Sequence, residues 1–277
     1  MLDPCRWLKS QNDYLCTNPC FMLLDLVTIP WQHVILVIVA GVLCGFINTL
    51  AGSGSLISLP ILMFIGLPPN MANGTNRVGV LLQNMVTAKT FHNKGLLDIP
   101  LGWKVAAPVI LGSIAGALIV LELPDRAVEI VVGVVLLIML IPMWFKPRRW
   151  LEGKDLTGQK ISQPLRWAIF FTIGAYGGFI QAGVGIFLLS ALVLNLGCNL
   201  VKANAQKAMI NLVLTAFALM IFAWHNQIDW GVGVALALGN AVGGYLGTHW
   251  AVSWGPQFVR WVVMVVVVLA GGKLLFF

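Results

Sequence analysis

Charged residues are scarce in this sequence, and their scarcity excludes whole classes of protein. They make up 10% of the 277 residues, whereas a soluble domain carries about 25%. Apolar residues reach 59% of the chain. This composition indicates a protein that folds in lipid.

Patterns typical of catalysis and metal binding are also missing. Four histidines and five cysteines occur, but no Ser/His/Asp constellation, paired carboxylates or metal-ligand spacing accompanies them. The nearest catalytic candidates, His92 and His225, lack clear partners. The sequence therefore predicts no enzymatic activity, no metal and no cofactor.

The net charge of +7 does not indicate a nucleic-acid partner, because much of it lies in one short polar stretch. Six cations fall there: Lys146, Arg148, Arg149, Lys154, Lys160 and Arg166. Such clustering is typical of a cytoplasmic loop of a membrane protein. We therefore predict a tail or interfacial segment at 1–30, a first transmembrane repeat at 31–145, a basic cytoplasmic linker at 146–164 and a second transmembrane repeat at 165–277.

Glycines reveal the repeat, because six of them recur at an offset of 131 residues. The matched pairs are Gly52/Gly183, Gly54/Gly185, Gly66/Gly197, Gly102/Gly233, Gly112/Gly243 and Gly116/Gly247. A duplicated apolar unit with glycine-interrupted segments is typical of secondary transporters, whose substrate site lies near mid-membrane between the halves.

Each half contains five apolar segments, which predicts an all-α polytopic membrane protein. In the first half they are Trp31–Leu50, Leu56–Ile65, Gly74–Phe91, Leu101–Leu121 and Ala127–Phe145. In the second they are Leu165–Ile180, Ile186–Leu196, Ala203–Trp224, Trp230–Val252 and Phe258–Phe276. The second segment of each half is too short to span the bilayer and suits a half-helix or re-entrant hairpin. The distribution of Lys and Arg favours inverted halves, with a parallel arrangement as the alternative.

Two glycine-bracketed breaks are the first candidate binding elements. The candidate residues are Asn48, Gly52, Ser53, Gly54 and Ser55 in the first half, and Gln181, Gly183 and Gly185 in the second. A helix that restarts after such a break presents free N–H groups and a positive dipole end, which suits an anion. The alternative is that these small residues serve close helix packing, as we expect for Gly112/Gly116 and Gly243/Gly247.

A polar cluster follows each short segment and supplies the other candidates. They are Asn73, Thr75, Asn76 and Arg77 in the first half, and Asn204 and Lys207 in the second. Their helical spacing predicts a polar stripe that faces the bundle. Alternatively, Arg77 and Lys207 snorkel to lipid headgroups. Asp98 and Asp229 occupy equivalent positions before a helix and are expected to cap it, with a proton relay as the other interpretation.

The first-half motifs carry a family resemblance. Gly45–Ser55, Leu59-Pro60, Gly66–Pro69 and Ala72–Arg77 resemble the TauE/SafE family, also described as sulfite exporter or 4-toluene-sulfonate uptake permeases. The likeness spans roughly 31–277 and is looser in the second half. Two departures stand out: many relatives have four glycines where this chain has Gly52-Ser53-Gly54-Ser55, and some have Asp at the positions of Asn48 and Gln181.

This resemblance implies a multi-pass protein of the bacterial inner membrane that transports a small sulfur-containing or organic anion such as sulfite, a sulfonate or thiosulfate. Together with the residues, it predicts a secondary transporter that works by alternating access. A passive anion channel and, less favoured, a membrane-embedded enzyme are the alternatives. The expected partners are the anion and the lipid bilayer; proton coupling and a homo-oligomer are left open.

Overall fold

The computed structural model describes residues 31–131, 134, 162–196 and 200–276, with the backbone alone for 194–196 and 255–276. This part of the chain is helical and contains no strand. The main helices are α1 (Trp31–Ala51), α2 (Ser55–Phe64), α3 (Pro69–Asn93), α4 (Ile99–Leu121), α5 (Gln163–Phe179), α6 (Val184–Leu196), α7 (Leu200–Trp224) and α8 (Trp230–Phe276). Residues 125–131 are helical as well.

The predicted segments match these helices with two exceptions. The fifth segment of the first half, Ala127–Phe145, lies mostly outside the described residues, as do the tail at 1–30 and residues 146–161 of the linker. The two segments predicted at the end of the chain were wrong, because α8 runs unbroken through 47 residues. Glycine and proline do not by themselves end a helix in lipid, so the Gly255-Pro256 pair was a misleading boundary signal.

Three of the described helices, α1, α4 and α7, are long and apolar enough to cross a bilayer. Helices α2 and α6 are apolar but shorter, as the sequence predicted. Helix α3 has 25 residues and is far less apolar than the others, because it carries the polar stripe.

Aspartates begin α4 and α8, which confirms the predicted capping. Asp98 accepts a hydrogen bond from the N–H of Leu101 at 3.0 Å, and Asp229 accepts one from Val232 at 2.9 Å. Each carboxylate satisfies an N–H group that lacks an acceptor within its helix.

Small residues bring α4 against α5. A Cβ on Gly112 would overlap the carbonyl oxygen of Phe171, and one on Gly116 would overlap that of Ala175. The residue numbers rise together along the contact, so these two helices run parallel.

Helix α8 packs on α1 in the same manner. Gly243 lies against the carbonyl of Val42, and Gly247 against that of Phe46. These contacts confirm that both small-residue pairs serve helix packing, and α1 and α8 also run parallel.

Helices α3 and α7 form an antiparallel pair between the halves. Gly74, near the start of α3, lies against Phe222, near the end of α7, and against Gln227 in the turn after it. Ala88, near the end of α3, shares an apolar cluster with Ala205, near the start of α7. The turn that follows α3 and the turn that follows α7 therefore lie at opposite ends of the molecule.

Helix α3 runs parallel to α8. Thr75 accepts a hydrogen bond from the N–H of Asp229 at 2.9 Å, and further along, Gly244 lies against Gln83. Helices α1, α3 and α8 thus share one direction.

Helix α4 runs parallel to α7. The Gln206 side chain donates to the carbonyl of Asp98 at 3.0 Å, and Met209 lies against Gly102. Helices α4, α5 and α7 share the other direction, so α1 and α5, α3 and α7, and α4 and α8 run in opposite directions.

The short helix α2 turns back beside the helix that precedes it. Ser55, at the start of α2, bonds Asn76 within α3, whereas Leu62 clusters with Ala72 near the start of α3 and with Val37 of α1. Helix α2 thus returns toward the end from which α1 came, and α1 and α2 form a hairpin. Its tip lies inside the protein, where non-helical backbone is tolerated.

Candidate functional site

The two breaks meet at the centre of the protein. Gly52 and Gly183 have left-handed backbones with φ of 75° and 74°, a conformation that favours glycine. The N–H of Gly185 donates to the carbonyl of Gly52 at 3.1 Å, which joins the loops directly. A Cβ on Gly52 or Gly185 would overlap the backbone of the other loop.

The first break leaves hydrogen-bond donors without acceptors. In the described chain, the backbone N–H groups of Ser53, Gly54 and Ser55 have no acceptor. No side chain caps the helix they begin. The hydroxyl of Ser53 is fully buried and has no hydrogen-bond partner among the residues that the structure describes. Buried donors of this kind are costly unless a ligand or water satisfies them.

The second candidate serine of this break is held by the polar stripe. The Asn76 amide donates to the Ser55 hydroxyl at 3.0 Å and accepts from the Ser58 hydroxyl at 2.6 Å. Asn76 therefore fixes the first turn of α2 against α3.

Arg77 binds the end of the broken helix in the opposite half. Its guanidinium donates to the carbonyls of Gly177 at 3.1 Å and Gly178 at 2.6 Å, and to the Gln181 side chain at 3.0 Å. The side chain is 0% exposed. It lies 4.6 Å over the Phe222 ring, so it does not snorkel to headgroups.

The neighbouring Asn73 supports the same contact. Its amide donates to the carbonyl of Phe179 at 2.8 Å, and its oxygen lies 3.4 Å from the Arg77 guanidinium. Together, Arg77 and Asn73 satisfy carbonyls at the end of α5, where a helix carries partial negative charge.

Lys207 makes the reciprocal contact with the first half. Its ammonium donates to the carbonyls of Asn48 at 3.0 Å and Thr49 at 2.8 Å, and to the Asn204 side chain at 2.8 Å. Lys207 is 3% exposed and does not reach the headgroups. Asn204 also lies within 3.5 Å of the carbonyl of Leu50, so an Asn and a cation cap each broken helix.

The amide side chains at the breaks bind the third helix of their own half. Asn48 donates to Gln83 at 2.8 Å, and Gln181 donates to Thr215 at 2.6 Å. Both positions therefore carry buried neutral amides that tie a break to a neighbouring helix.

The structure gathers the predicted residues into one region, with Thr75 as the outlier. Thr75 is occupied by the N–H of Asp229, in the turn before α8. Gly183, Gly185, Ser53 and Gly54 lie at the meeting point of the loops. The histidines considered as catalytic candidates, His92 and His225, are exposed.

Sequence reasoning missed Asn240. This residue of α8 is 0% exposed, and neither polar atom of its amide has a partner within hydrogen-bond distance among the described residues. A Cβ on Gly79 would lie 2.6 Å from the Asn240 nitrogen, so the glycine of α3 makes room for the amide. A lone amide within an apolar run was the available signal, because polar groups in membrane helices are costly.

The region is positively charged as a whole. In the described part of the chain, Arg126 and Glu129 form an exposed ion pair, and no carboxylate lies within ion-pair distance of Arg77 or Lys207. Arg77 and Lys207 are therefore buried cations with oxygen dipoles around them and no carboxylate partner. Within the described ranges, no group of three or more His, Cys, Asp or Glu side chains is placed to hold a metal ion.

A helical fold with three described helices long and apolar enough to cross a bilayer indicates an α-helical membrane protein. A comparison with family models is specific: residues 37–274 match the family described as sulfite exporter TauE/SafE. The chain belongs to this family.

Curated relatives support the same class. A Haemophilus influenzae protein named probable membrane transporter protein is 27% identical, covering 85% of this chain and 92% of its own. The Escherichia coli K12 probable membrane transporter protein YfcA is 26% identical, covering 84% and 86%. A Sinorhizobium protein, probable membrane transporter protein ORF9, is 23% identical, covering 86% and 90%. No solved structure matches the chain. Family and relatives together support a membrane transporter.

Proposed function

We propose that this protein is a secondary transporter of a small sulfur-containing or organic anion, of the sulfite, sulfonate or thiosulfate class. It works by alternating access in the bacterial inner membrane. The anion binds where the two breaks meet, between α2 and α6. The observation that carries this proposal is the pairing of unsatisfied donors, Ser53 among them, with two buried cations that have no carboxylate partner.

The donors and the cations have separate roles. Arg77 and Lys207 are bound to carbonyls, so they attract an anion through their field and do not have to touch it. The open N–H groups at the start of α2 and the Ser53 hydroxyl are the direct ligands. A water-excluding site strengthens both contributions.

The two halves are inverted repeats related by a pseudo-two-fold axis in the membrane plane. Opposite directions of α1 and α5, α3 and α7, and α4 and α8 support this arrangement. Rocking of one half against the other would then expose the shared site to each side in turn, as in other transporters with inverted repeats.

Ligand-dependent thermal stabilisation of the detergent-purified protein tests the site. The ligands are sulfite, sulfate, thiosulfate, sulfoacetate, an aryl sulfonate and a neutral control. A ligand that binds only the folded state raises its stability by RT ln(1 + [L]/Kd), about 2.7 kcal/mol at a hundredfold excess over Kd. We expect a saturable rise in Tm with at least one of the anions and none with the neutral compound.

The Ser53→Ala variant identifies the ligands. A hydrogen bond to a charged group contributes roughly 1.5–3 kcal/mol, so the variant should bind the anion at least about tenfold more weakly. Ser190→Ala is the matched control, because the Ser190 hydroxyl donates to its own helix at Ile186. Equal weakening in both variants, or in neither, would place the anion elsewhere.

Transport into proteoliposomes distinguishes the carrier from a channel. Saturation of the initial rate with anion concentration supports the carrier, whereas a linear dependence together with ohmic conductance would support a channel. Turnover of the anion into a chemically different product would indicate an enzyme.

A further inference from the structure

The ends of the two broken helices are occupied in a way that bears on ion coupling. In secondary transporters, unwound carbonyls and the C-terminal ends of half-helices coordinate the coupling cation. Such an end is a good cation site because its last carbonyls have no partner within the helix. Here the protein supplies its own cation at both ends.

The oxygen cage around Lys207 has the composition of a monovalent metal site. It consists of the carbonyls of Asn48 and Thr49 and the side-chain oxygen of Asn204, all within 3.0 Å of the ammonium nitrogen. Three acceptors match the three donors of –NH3+, so the geometry fits the charged form. Carbonyl and amide oxygens are the ligands that hard cations prefer.

Arg77 binds the C-terminal end of α5 in the same way. Carbonyls of Gly177 and Gly178 and the oxygen of Gln181 surround its guanidinium. The cations come from third helices of opposite halves, although their positions are not identical: Ala208, not Lys207, lies 131 residues after Arg77. Each half therefore supplies a cation to the end of the other half's broken helix, although the two cations do not occupy equivalent positions in the repeat.

We propose that Lys207 is a tethered cation in a site that would otherwise bind a monovalent metal ion. Transport then requires no Na+ or K+ as a coupling ion. This inference deepens the proposed function, on which its transport part rests. Its binding part concerns only the cage and stands without any anion.

The first test compares two truncations of Lys207 by thermal unfolding in chloride salts of equal ionic strength. Lys207→Ala removes the ammonium and leaves space within the oxygen cage. Lys207→Met removes the charge but fills most of that space with an apolar chain. We expect both variants to have a lower Tm than the unmodified protein in choline chloride. Li+, Na+ or K+ should restore part of the loss, saturably, in Lys207→Ala alone.

The unmodified protein and a surface variant are the controls. We expect the unmodified protein and Lys94→Ala, which lacks an exposed cation, to have the same Tm in choline, Na+ and K+. A Lys207→Ala protein that is folded and monodisperse but indifferent to all three metal ions would overturn the proposal. Equal responses of the Ala and Met variants would also overturn it.

A second test uses only the unmodified protein, so it can be carried out even if the variants fail to fold. In proteoliposomes, replacing Na+ and K+ by choline on both sides should leave the initial rate of anion uptake unchanged. A rate that rises with an imposed Na+ or K+ gradient would overturn the proposal. Absence of any anion uptake would instead count against the proposed function, while the unfolding measurements would still decide the cation site.

Discussion

A break in a helix inside a membrane protein leaves backbone carbonyls without water to bind. Here, side chains from the other half donate hydrogen bonds to these carbonyls. Each unsatisfied buried acceptor costs about 1–3 kcal/mol. Arg77 and Asn73 cover one helix end, and Lys207 and Asn204 cover the other. The cations are therefore structural groups that also charge the site.

Removal of the Arg77 side chain should destabilise the fold strongly. Arg77→Ala strips donors from two carbonyls and the Gln181 side chain, so we expect a loss of more than about 2 kcal/mol in the free energy of unfolding. Thermal unfolding should show a Tm lower by at least roughly 5 °C. Arg126→Ala, which removes an exposed arginine, should leave Tm unchanged. Similar Tm values for the two variants would contradict the capping role.

The contact between the loops makes Gly52 less replaceable than other left-handed glycines. Gly95 has φ of 67° and open space where a Cβ would lie, whereas Gly52 has φ of 75° and lies against Gly185. Gly95→Ala should cost about 1–2 kcal/mol from the backbone alone.

Gly52→Ala should cost more, because its Cβ would force the two loops apart. The difference in Tm between the two variants measures the loop contact. If Gly52→Ala is no worse than Gly95→Ala, then the loops separate at little cost.

The roles of single residues were only partly readable from the sequence. The polar stripes were predictable from helical spacing, because a polar face on a membrane helix is expected to point into the bundle. The sequence left open whether Arg77 and Lys207 snorkel to headgroups, and the structure shows both buried. Their partners were not predictable. Backbone carbonyls about a hundred positions away, such as Gly177 for Arg77, leave no mark in composition or spacing.

At the scale of elements, the hairpin α1–α2 and the break between α5 and α6 decide where the candidate site lies. Their short second helices were predictable from length, since ten apolar residues do not cross a bilayer. The return of α2 along α1 depends on tertiary contacts such as Leu62 with Val37. The predicted boundary inside α8 failed because Gly and Pro are weak stop signals in lipid.

Helix α4 offers a test that separates capping from proton transfer. Asp98→Ala should lower the free energy of unfolding by about 0.5–2 kcal/mol, because the N–H of Leu101 loses its acceptor. Asp98→Asn should keep Tm near that of the unmodified protein, since Asn caps equally well. Anion uptake by both variants should vary with pH in the same way as uptake by the unmodified protein. A changed pH profile in Asp98→Asn would favour the proton-relay interpretation instead.

For the whole molecule, the antiparallel pairing of α3 with α7 predicts sidedness. The turn after α3 and the turn after α7 belong at opposite membrane faces, and the first carries Lys94. The positive-inside rule puts that turn in the cytoplasm. We therefore expect the turn containing His225 to face outward.

Single cysteines at Lys94 and His225, both exposed, test this arrangement. The background replaces Cys5, Cys16, Cys20 and Cys198 by serine and keeps Cys44, which is buried. A membrane-impermeant thiol reagent should label His225→Cys in intact spheroplasts and Lys94→Cys only in inside-out vesicles. Labelling of both from one side would contradict inverted halves.

The contact between Lys207 and the first hairpin cannot form until most of the chain has been synthesised. Its ammonium binds the carbonyl of Thr49, 158 residues earlier in the chain. At about 5–20 residues per second, the ribosome needs roughly 10–30 s to deliver Lys207 after Thr49. The nascent first half waits through that interval with the end of α1 uncovered.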